Sequence, residues 1–392
     1  MAPNRTLESE HTTSSPMFLA PGAGQWQALD EQGESPHSAR DELDSALLMS
    51  LQMHHVVVLA GLGCSLSAGG PTMMDLWMGA VGKEPSEMVH RVAKNVRYDL
   101  DDKNIEVLLS KVEAYLQLRS DDEASSFLKA SKQIILDKCS RFHETGALDS
   151  HVAFLHRLSR RRARDERLRV FTTNYDLCFE KAASQLGIVA LDGFSFYSPR
   201  SYDPRFFSYD IVRRPRSGSG EVGSFLEGVF LIHKLHGSVN WARTSDDKIM
   251  ERAHPTPDEA CLIYPAAGKF QQSFSQPHLE FMAQYFASLR EPNTCLLVVG
   301  FGFNDAHLAE PLIAAAQSNP HFRLVVVDPA AKERVDNGSG YWGRLAKLGS
   351  QGGDIWFVSA RFDEFSQMIP DLKSLTPADA LVKAIRGVAK TP

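Results

Sequence analysis

The stretch VVVLAGLGCSLSAGGPTMMDLW, Val56 to Trp77, decides the fold. Val56, Val57, Val58 and Leu59 form a continuous apolar run rather than an alternating one, which predicts a strand buried on both faces. Such a strand opens a doubly wound sheet. Gly61 and Gly63 follow at once, with Ser65, Ser67, Gly69, Gly70 and Pro71 behind them. A turn of this composition lets backbone approach a ligand where a Cβ would collide. Its free N–H groups and the positive end of the next helix suit a diphosphate. The pattern is G-x-G-x-S, not the full G-x-G-x-x-G, because Leu66 stands where the third glycine would be. Alone, it also fits a tight strand-to-helix turn with no ligand.

Working outward, apolar runs recur at Leu168 to Thr172, Val229 to Leu235, Thr294 to Val299, Phe322 to Val327 and Ile355 to Val358, with helical patterns between them. Strands and helices in this rhythm predict right-handed crossovers and an α/β, Rossmann-like parallel sheet with helices on both faces. Cys261 to Tyr264 reads as a further short strand, Pro277 to Leu289 as a helix and Ala378 to Ala389 as a closing helix. Between Leu76 and Asp149 apolar residues recur at three and four spacing, as in IEVLLSKVEAYLQL from Ile105. That predicts a helical insertion over about residues 78–147, a lid or wall for the first turn.

Residues 1–40, rich in Ser, Pro, Gly, Glu and His, are expected to form a disordered tail, leaving 41–392 as one domain. Asp41 to Met53 reads as an amphipathic helix leading into the first strand. The run Arg160, Arg161, Arg162 and Arg164 reads as a solvated helix end, or as a contact for nucleic acid or an acidic partner. Residues 198–228 form an irregular loop with five arginines between Arg200 and Arg216, a mobile loop or an oligomer or partner contact.

The chain has 392 residues, 43% of them hydrophobic, and a net charge of -6, which argues against nucleic-acid binding by the whole surface. Direct nucleic-acid binding through a local basic patch stays open. Cys64, Cys139, Cys178, Cys261 and Cys295 are odd in number and form no C-x-x-C pair, so neither zinc nor a disulfide framework is expected. No apolar run nears the roughly 18 residues of a membrane span, and residues 1–16 lack the apolar core of a secretory signal. A cytoplasmic setting is expected.

Three further strand ends carry polar clusters: TTNYD at Thr172 to Asp176, KLHGSVNW at Lys234 to Trp241 and GFGFNDAHL at Gly300 to Leu308. Ligands of open parallel sheets collect beyond the carboxyl ends of the strands, so all three are expected to share one crevice with the first glycine turn. In this order the motifs resemble the sirtuin family, and more closely its SIR2-like microbial, anti-phage defence branch than its deacetylases. GLGCSLSAGGP is similar to the family's phosphate turn, TTNYD to its T-x-N-x-D element, KLHGS to the strand bearing its histidine, and NIEVLL at Asn104 to Leu109 to the branch's N-I-E motif. Thr72, Met73 and Met74 replace the deacetylases' Asp-Phe-Arg, while their four-cysteine module and peptide-holding segment are missing.

The resemblance implies NAD as substrate, no metal, and catalytic residues Asn174, His236 and Asp176. It implies binding residues Gly61, Gly63, Ser65, Pro71, Thr173, Gly237, Gly302, Asp305, His307 and Asp328. Breaking the nicotinamide–ribose bond releases a neutral base from a cation, so positioning water and steadying an oxocarbenium-like state matter more than a strong acid. Asn174 would orient water or ribose hydroxyls, or serve only as a strand-end or helix N-cap residue. His236 would bond the ribose or accept a proton. Asp176 would recognise the carboxamide, or serve as a carboxylate on the helix dipole in a first helical turn; Ser65 would touch phosphate or ribose; Asp328 would hold the adenosine ribose, or serve only the turn. Glu106 reads as structural, and Met73, Met74 and Met78 as packing.

The leading expectation is an NAD glycohydrolase serving as a regulated effector in a prokaryotic defence complex. The partners implied are copies of itself in a homo-oligomer and a partner ATPase, translocase or nucleic-acid-guided protein, with no membrane. The alternatives are a binding sensor or scaffold without turnover, or an NAD-dependent deacylase or ADP-ribosyltransferase.

Overall fold

The computed structural model describes residues 15–29, 38–161, 165–214, 224–264 and 275–371. The order opens β1 (Met17–Leu19), β2 (Gln27–Ala28), α1 (Ala39–Leu51), β3 (His55–Ala60) and α2 (Gly63–Leu66). The insertion follows as α3 (Met73–Ala80), α4 (Glu87–Asn95), α5 (Ile105–Leu118) and α6 (Asp122–Thr145). Next come α7 (Asp149–Leu158), β4 (Leu168–Thr172), α8 (Cys178–Leu186), β5 (Val189–Leu191), β6 (Val212–Arg213), β7 (Ser224–Phe225), β8 (Val229–Lys234), β9 (Gly237–Arg243), β10 (Ile249–Glu251) and β11 (Ala260–Leu262). The rest is α9 (His278–Arg290), β12 (Thr294–Val299), α10 (Ala306–Ser318), β13 (Phe322–Val327), α11 (Ala331–Asn337), α12 (Gly340–Ser350), β14 (Asp354–Ser359) and α13 (Phe362–Met368).

One sheet runs β2-β1-β14-β13-β12-β3-β4-β8-β5, with every pair from β14 to β5 parallel. The expected Rossmann-like α/β architecture is what the chain adopts. β3 sits where the strand order reverses: the chain moves to β4 and β8 on one side and later to β12, β13 and β14 on the other. Alternate residues of β3 serve opposite cores, as its unbroken apolar run requires. Val56, Val58 and Ala60 join the layer of α1, α7, α8 and α13. Val57 and Leu59 join that of α9, α10 and α12.

The insertion has a core of its own, including Leu76, Trp77, Leu108, Leu109, Val112, Phe127 and Ile135, which packs on Val239, Leu262 and Tyr264 of a small antiparallel sheet β10-β9-β11. Local chemistry sets its helix starts. Thr72 and Asp75 form a reciprocal capping box, each side chain accepting from the other's backbone N–H. Asn104 Oδ1 accepts from the Val107 amide at 3.1 Å to begin α5.

Three expectations are corrected. The disordered tail does not extend through residue 40: β1 pairs antiparallel with β14, and Phe18, fully buried, stacks on Trp356 at 6.1 Å. One large apolar side chain at a sheet edge anchors a segment whose composition otherwise reads as solvent-loving. Cys261 lies in the small antiparallel sheet, and β9 extends the KLHGSVNW cluster into a strand of that sheet. Arg161 is no solvated cation: it is 5% exposed and donates to the carbonyls of Leu51, Met53, His54 and Glu166 at 2.6–2.9 Å. It satisfies acceptors that the end of α1 leaves open.

Within 198–228, Arg200 bonds Asp192 at 2.7 Å and Glu251 at 3.0 Å, which ties the start of the loop to β10. Arg162, Arg164, Arg216, the serine–glycine run at 217–220 and the closing helix at 378–389 lie outside the described residues.

Candidate functional site

The glycine turn after β3 interlocks with the turn after β12. A Cβ on Gly61 would stand 2.6 Å from Gly300 O and Phe301 Cα, and one on Gly63 would stand 2.6 Å from Gly300 Cα. These glycines are thus required by backbone packed on backbone, where the sequence suggested approach to a ligand. The turn's amides are also engaged. Gly61 N donates to Val299 O at 3.0 Å, Gly63 N to Gly300 O at 2.9 Å, Cys64 N to Gly61 O and Ser65 N to Leu62 O, both at 3.0 Å. The cradle of free N–H groups expected there is largely spent inside the protein.

The end of β4 joins this knot through side chains. Asn174 Nδ2 donates to Gly61 O at 2.9 Å and to Ser65 Oγ at 2.8 Å, and Ser65 Oγ donates to Asp176 Oδ2 at 2.6 Å. Because a carbonyl oxygen only accepts, the nitrogen of the Asn174 amide must face Gly61. Every proton in the chain is then assigned, and Asn174 Oδ1 is left with no partner among the described residues.

Asp176 Oδ1 accepts from the Cys178 amide at 3.0 Å, and the buried Lys234 ammonium donates to the Asp176 carbonyl and, at 3.1 Å, to Glu180. Burial opposes ionisation of Asp176, but the Lys234 charge and the bonds from Ser65 and Cys178 outweigh it and hold the carboxyl below its usual range. Ser65 and Asp176, expected to touch substrate directly, have their polar atoms turned to each other and to Asn174.

One cavity of about 390 Å³ opens at the carboxyl ends of β3, β4, β8, β12 and β13. Of the residues singled out in the sequence, Gly61, Gly63, Ser65, Pro71, Thr173, Asn174, Asp176, His236, Gly302, Asp305 and Asp328 line it. Gly237 and His307 do not. Gly237 has φ +85 and would put a Cβ 2.0 Å from Cys261 O, so its glycine serves contact with β11. His307, half-buried, has its ring centroid 5.8 Å from that of His236, which is itself 3% exposed.

At one end of the cavity Asp328 Oδ1 accepts from the Ala330 amide at 2.9 Å and Oδ2 meets Arg334 at 3.4 Å. Burial raises the Asp328 carboxyl despite Arg334. The Arg334 guanidinium lies over Trp342 at 5.3 Å, and a Cβ on Gly302 would come within 3.8 Å of it. Arg334 went unnoticed in the sequence, although a cation two turns beyond a strand-end acid on the next helix is a readable signal for an anionic ligand. The helical insertion supplies the opposite wall through Met73, Leu76, Glu106, Cys139 and Phe142. Cys139 is a buried thiol raised to about 12, mainly by burial, and so is packing rather than a nucleophile. Among the described residues no group of His, Cys, Asp and Glu has the arrangement of a metal site, no cysteines are bonded together, and no helix is long and apolar enough to cross a membrane.

Residues 168–342 match the family model described as a SIR2-like domain. Solved structures similar to this chain include a Sir2 homolog–NAD complex, at 15% identity over 88% of this chain and 95% of that chain, with a TM-score of 0.42. They also include a Sir2 homologue mutant bound to ADP ribose, at 14% identity over 89% of this chain and 98% of that chain, with a TM-score of 0.44. No curated protein matches the chain.

Proposed function

We propose that this chain hydrolyses NAD+ to nicotinamide and ADP-ribose, a reading supported by the match of residues 168–342 to the SIR2-like domain model. The observation that carries the reading is the Asn174 amide: both its hydrogens are committed to Gly61 and Ser65, so a fixed acceptor oxygen is what it offers the cavity. That oxygen orients a water molecule, or a ribose hydroxyl, by accepting its hydrogen. The C1′–N1 bond breaks, its electron pair leaves with N1 to give neutral nicotinamide, and the water oxygen bonds to C1′. The water proton passes to His236 or to solvent. Asp328 receives the adenosine ribose hydroxyls, and Arg334 with the Gly302 turn receives the diphosphate. Ser65 and Asp176 act through Asn174 as positioning residues.

The resemblance of NIEVLL to the defence branch's N-I-E motif extends the proposal to a regulated effector within a homo-oligomer or a larger defence complex.

The test is nicotinamide release by the purified full chain. Nicotinamide and ADP-ribose are expected in equal amounts, independent of added acetyl-lysine peptide, and lost in Asn174→Ala and His236→Ala. A folded wild type that binds NAD+ and leaves it intact at every protein concentration overturns hydrolysis and favours a sensor or scaffold. Release that requires the peptide favours a deacylase.

A further inference from the structure

Glu106 enters the cavity from the helical insertion, an element the sheet's own chemistry does not need. It stands in the first turn of α5, just after the Asn104 cap, and the buried neighbours Ile105, Leu108 and Leu109 lock that turn into the insertion's core. Its carboxylate is therefore presented by a rigid helix rather than by a loop. It lines the same cavity as Asn174, Tyr175 and His236. The Tyr175 hydroxyl, which donates to Ile263 O at 2.6 Å, is raised well above its usual range by burial, with Cys139 and then Glu106 and Asp305 adding to the effect. Tyr175 and Leu177, just beyond Asn174, pack against the core that holds Ile105, Leu108 and Leu109, so the first turn of α5 stands at the β4 side of the cavity, whereas Asp328 pairs with Arg334 after β13 on the other side.

An acid in a first helical turn ordinarily complements the helix's positive end. That role needs no cavity, and here the residue also lines one. Hydrolysis of NAD+ starts from a cationic pyridinium and passes through positive charge shared by C1′ and the ribose ring oxygen. A fixed negative group in a walled cavity attracts the delocalised pyridinium and attracts the charge concentrated at C1′ and the ring oxygen more strongly, and that difference is what raises kcat.

We infer that Glu106 is a catalytic residue of this site: its carboxylate faces the nicotinamide riboside end of NAD+ and stabilises the positive charge carried first by the pyridinium and then by C1′. The inference rests on the NAD+ glycohydrolase reading above. Glu106 forms no covalent bond and takes no proton. The C1′–N1 pair leaves with N1, water supplies the new C1′–O bond, and the released proton goes to His236 or to solvent.

Two measurements on the full chain test it. Glu106→Gln keeps the size and the helix but removes the charge, and its kcat for nicotinamide release is expected to fall about 10²-fold. In an Asn174→Ala background, where turnover does not consume the ligand, NAD+ and NADH binding are compared with and without Glu106→Gln. NADH has nearly the same shape and a neutral ring. The preference for NAD+ over NADH is expected to drop about threefold to fivefold. Glu106→Asp retains charge and is expected to keep most of that preference.

A Glu106→Gln enzyme with kcat within threefold of wild type and an unchanged NAD+ to NADH preference overturns the inference, as does equal weakening of both ligands, which marks a structural role. A wild type that never releases nicotinamide, yet whose NAD+ preference depends on Glu106, overturns hydrolysis and leaves the charge contact standing.

Discussion

Asn174 is informative because its two amide hydrogens are already used, so what it presents to the cavity is an oxygen with one orientation. The orientation is enforced by Ser65, whose hydroxyl accepts from Asn174 and donates to Asp176. Ser65→Ala breaks the relay at its centre, leaving one Asn174 hydrogen and one Asp176 oxygen buried without their partner. We expect a loss of about 1–3 kcal/mol in urea unfolding and a fall in kcat larger than any change in KM, because binding groups elsewhere in the cavity are untouched. A Ser65→Ala protein with wild-type kcat would contradict the relay. At this scale the sequence placed Asn174, Asp176 and Ser65 at one crevice but assigned each a separate contact with ligand. Who bonds whom depended on a meeting of residues 109 and 111 positions apart in the chain.

At the scale of elements, the site rests on two turns pressed together, one after β3 and one after β12. Gly63→Ala puts a methyl 2.6 Å from Gly300 Cα, where only backbone can yield. The expected cost is about 1–3 kcal/mol. Nicotinamide release should fall as well, since the same turn positions Ser65. Chemical unfolding alongside the release assay checks both, and unchanged stability would mean the two turns can separate. The six parallel strands named from the sequence, β3, β4, β8, β12, β13 and β14, were legible because strands buried on both faces carry an unbroken apolar signature. β1, β5 and β10 have three residues each, too few for alternation to register, and β9 begins inside the polar cluster KLHGSVNW, whose context blurs the pattern. The buried role of Arg161 was hidden inside a run of arginines that reads as solvent-facing.

The whole molecule carries a set of neutral buried histidines. His151 is packed between Phe179 and Phe362 at 5.0 and 4.9 Å, and burial lowers it to about 4. Burial similarly lowers His233, stacked between Phe171 and Phe207, to about 3, and His278, beside Leu235 O, to about 4. An unfolded histidine takes its proton near pH 6.5. Between that value and about 4 the unfolded chain therefore binds more protons than the folded one, and stability falls as pH falls through the window. It is fully present above it. At about 1.36 kcal/mol per pKa unit the groups contribute about 3–5 kcal/mol each, so together they rival the roughly 5–15 kcal/mol of a domain. The urea midpoint should drop steeply from pH 7 toward pH 5, and His151→Leu should flatten that slope. A midpoint independent of pH would show that these rings are reached by solvent.

By itself the sequence determined the parallel α/β core, the strand ends that carry chemistry and the helical insertion. These follow from local periodicity and from residues that neighbours along the chain already constrain. Tertiary structure alone decided why Gly61 and Gly63 are glycines, that Gly237 and His307 stand outside the cavity, and that Arg334 and Glu106 stand at its edge. Each of those facts depends on contacts between distant segments, whose distances and hydrogen-bond partners no local pattern encodes.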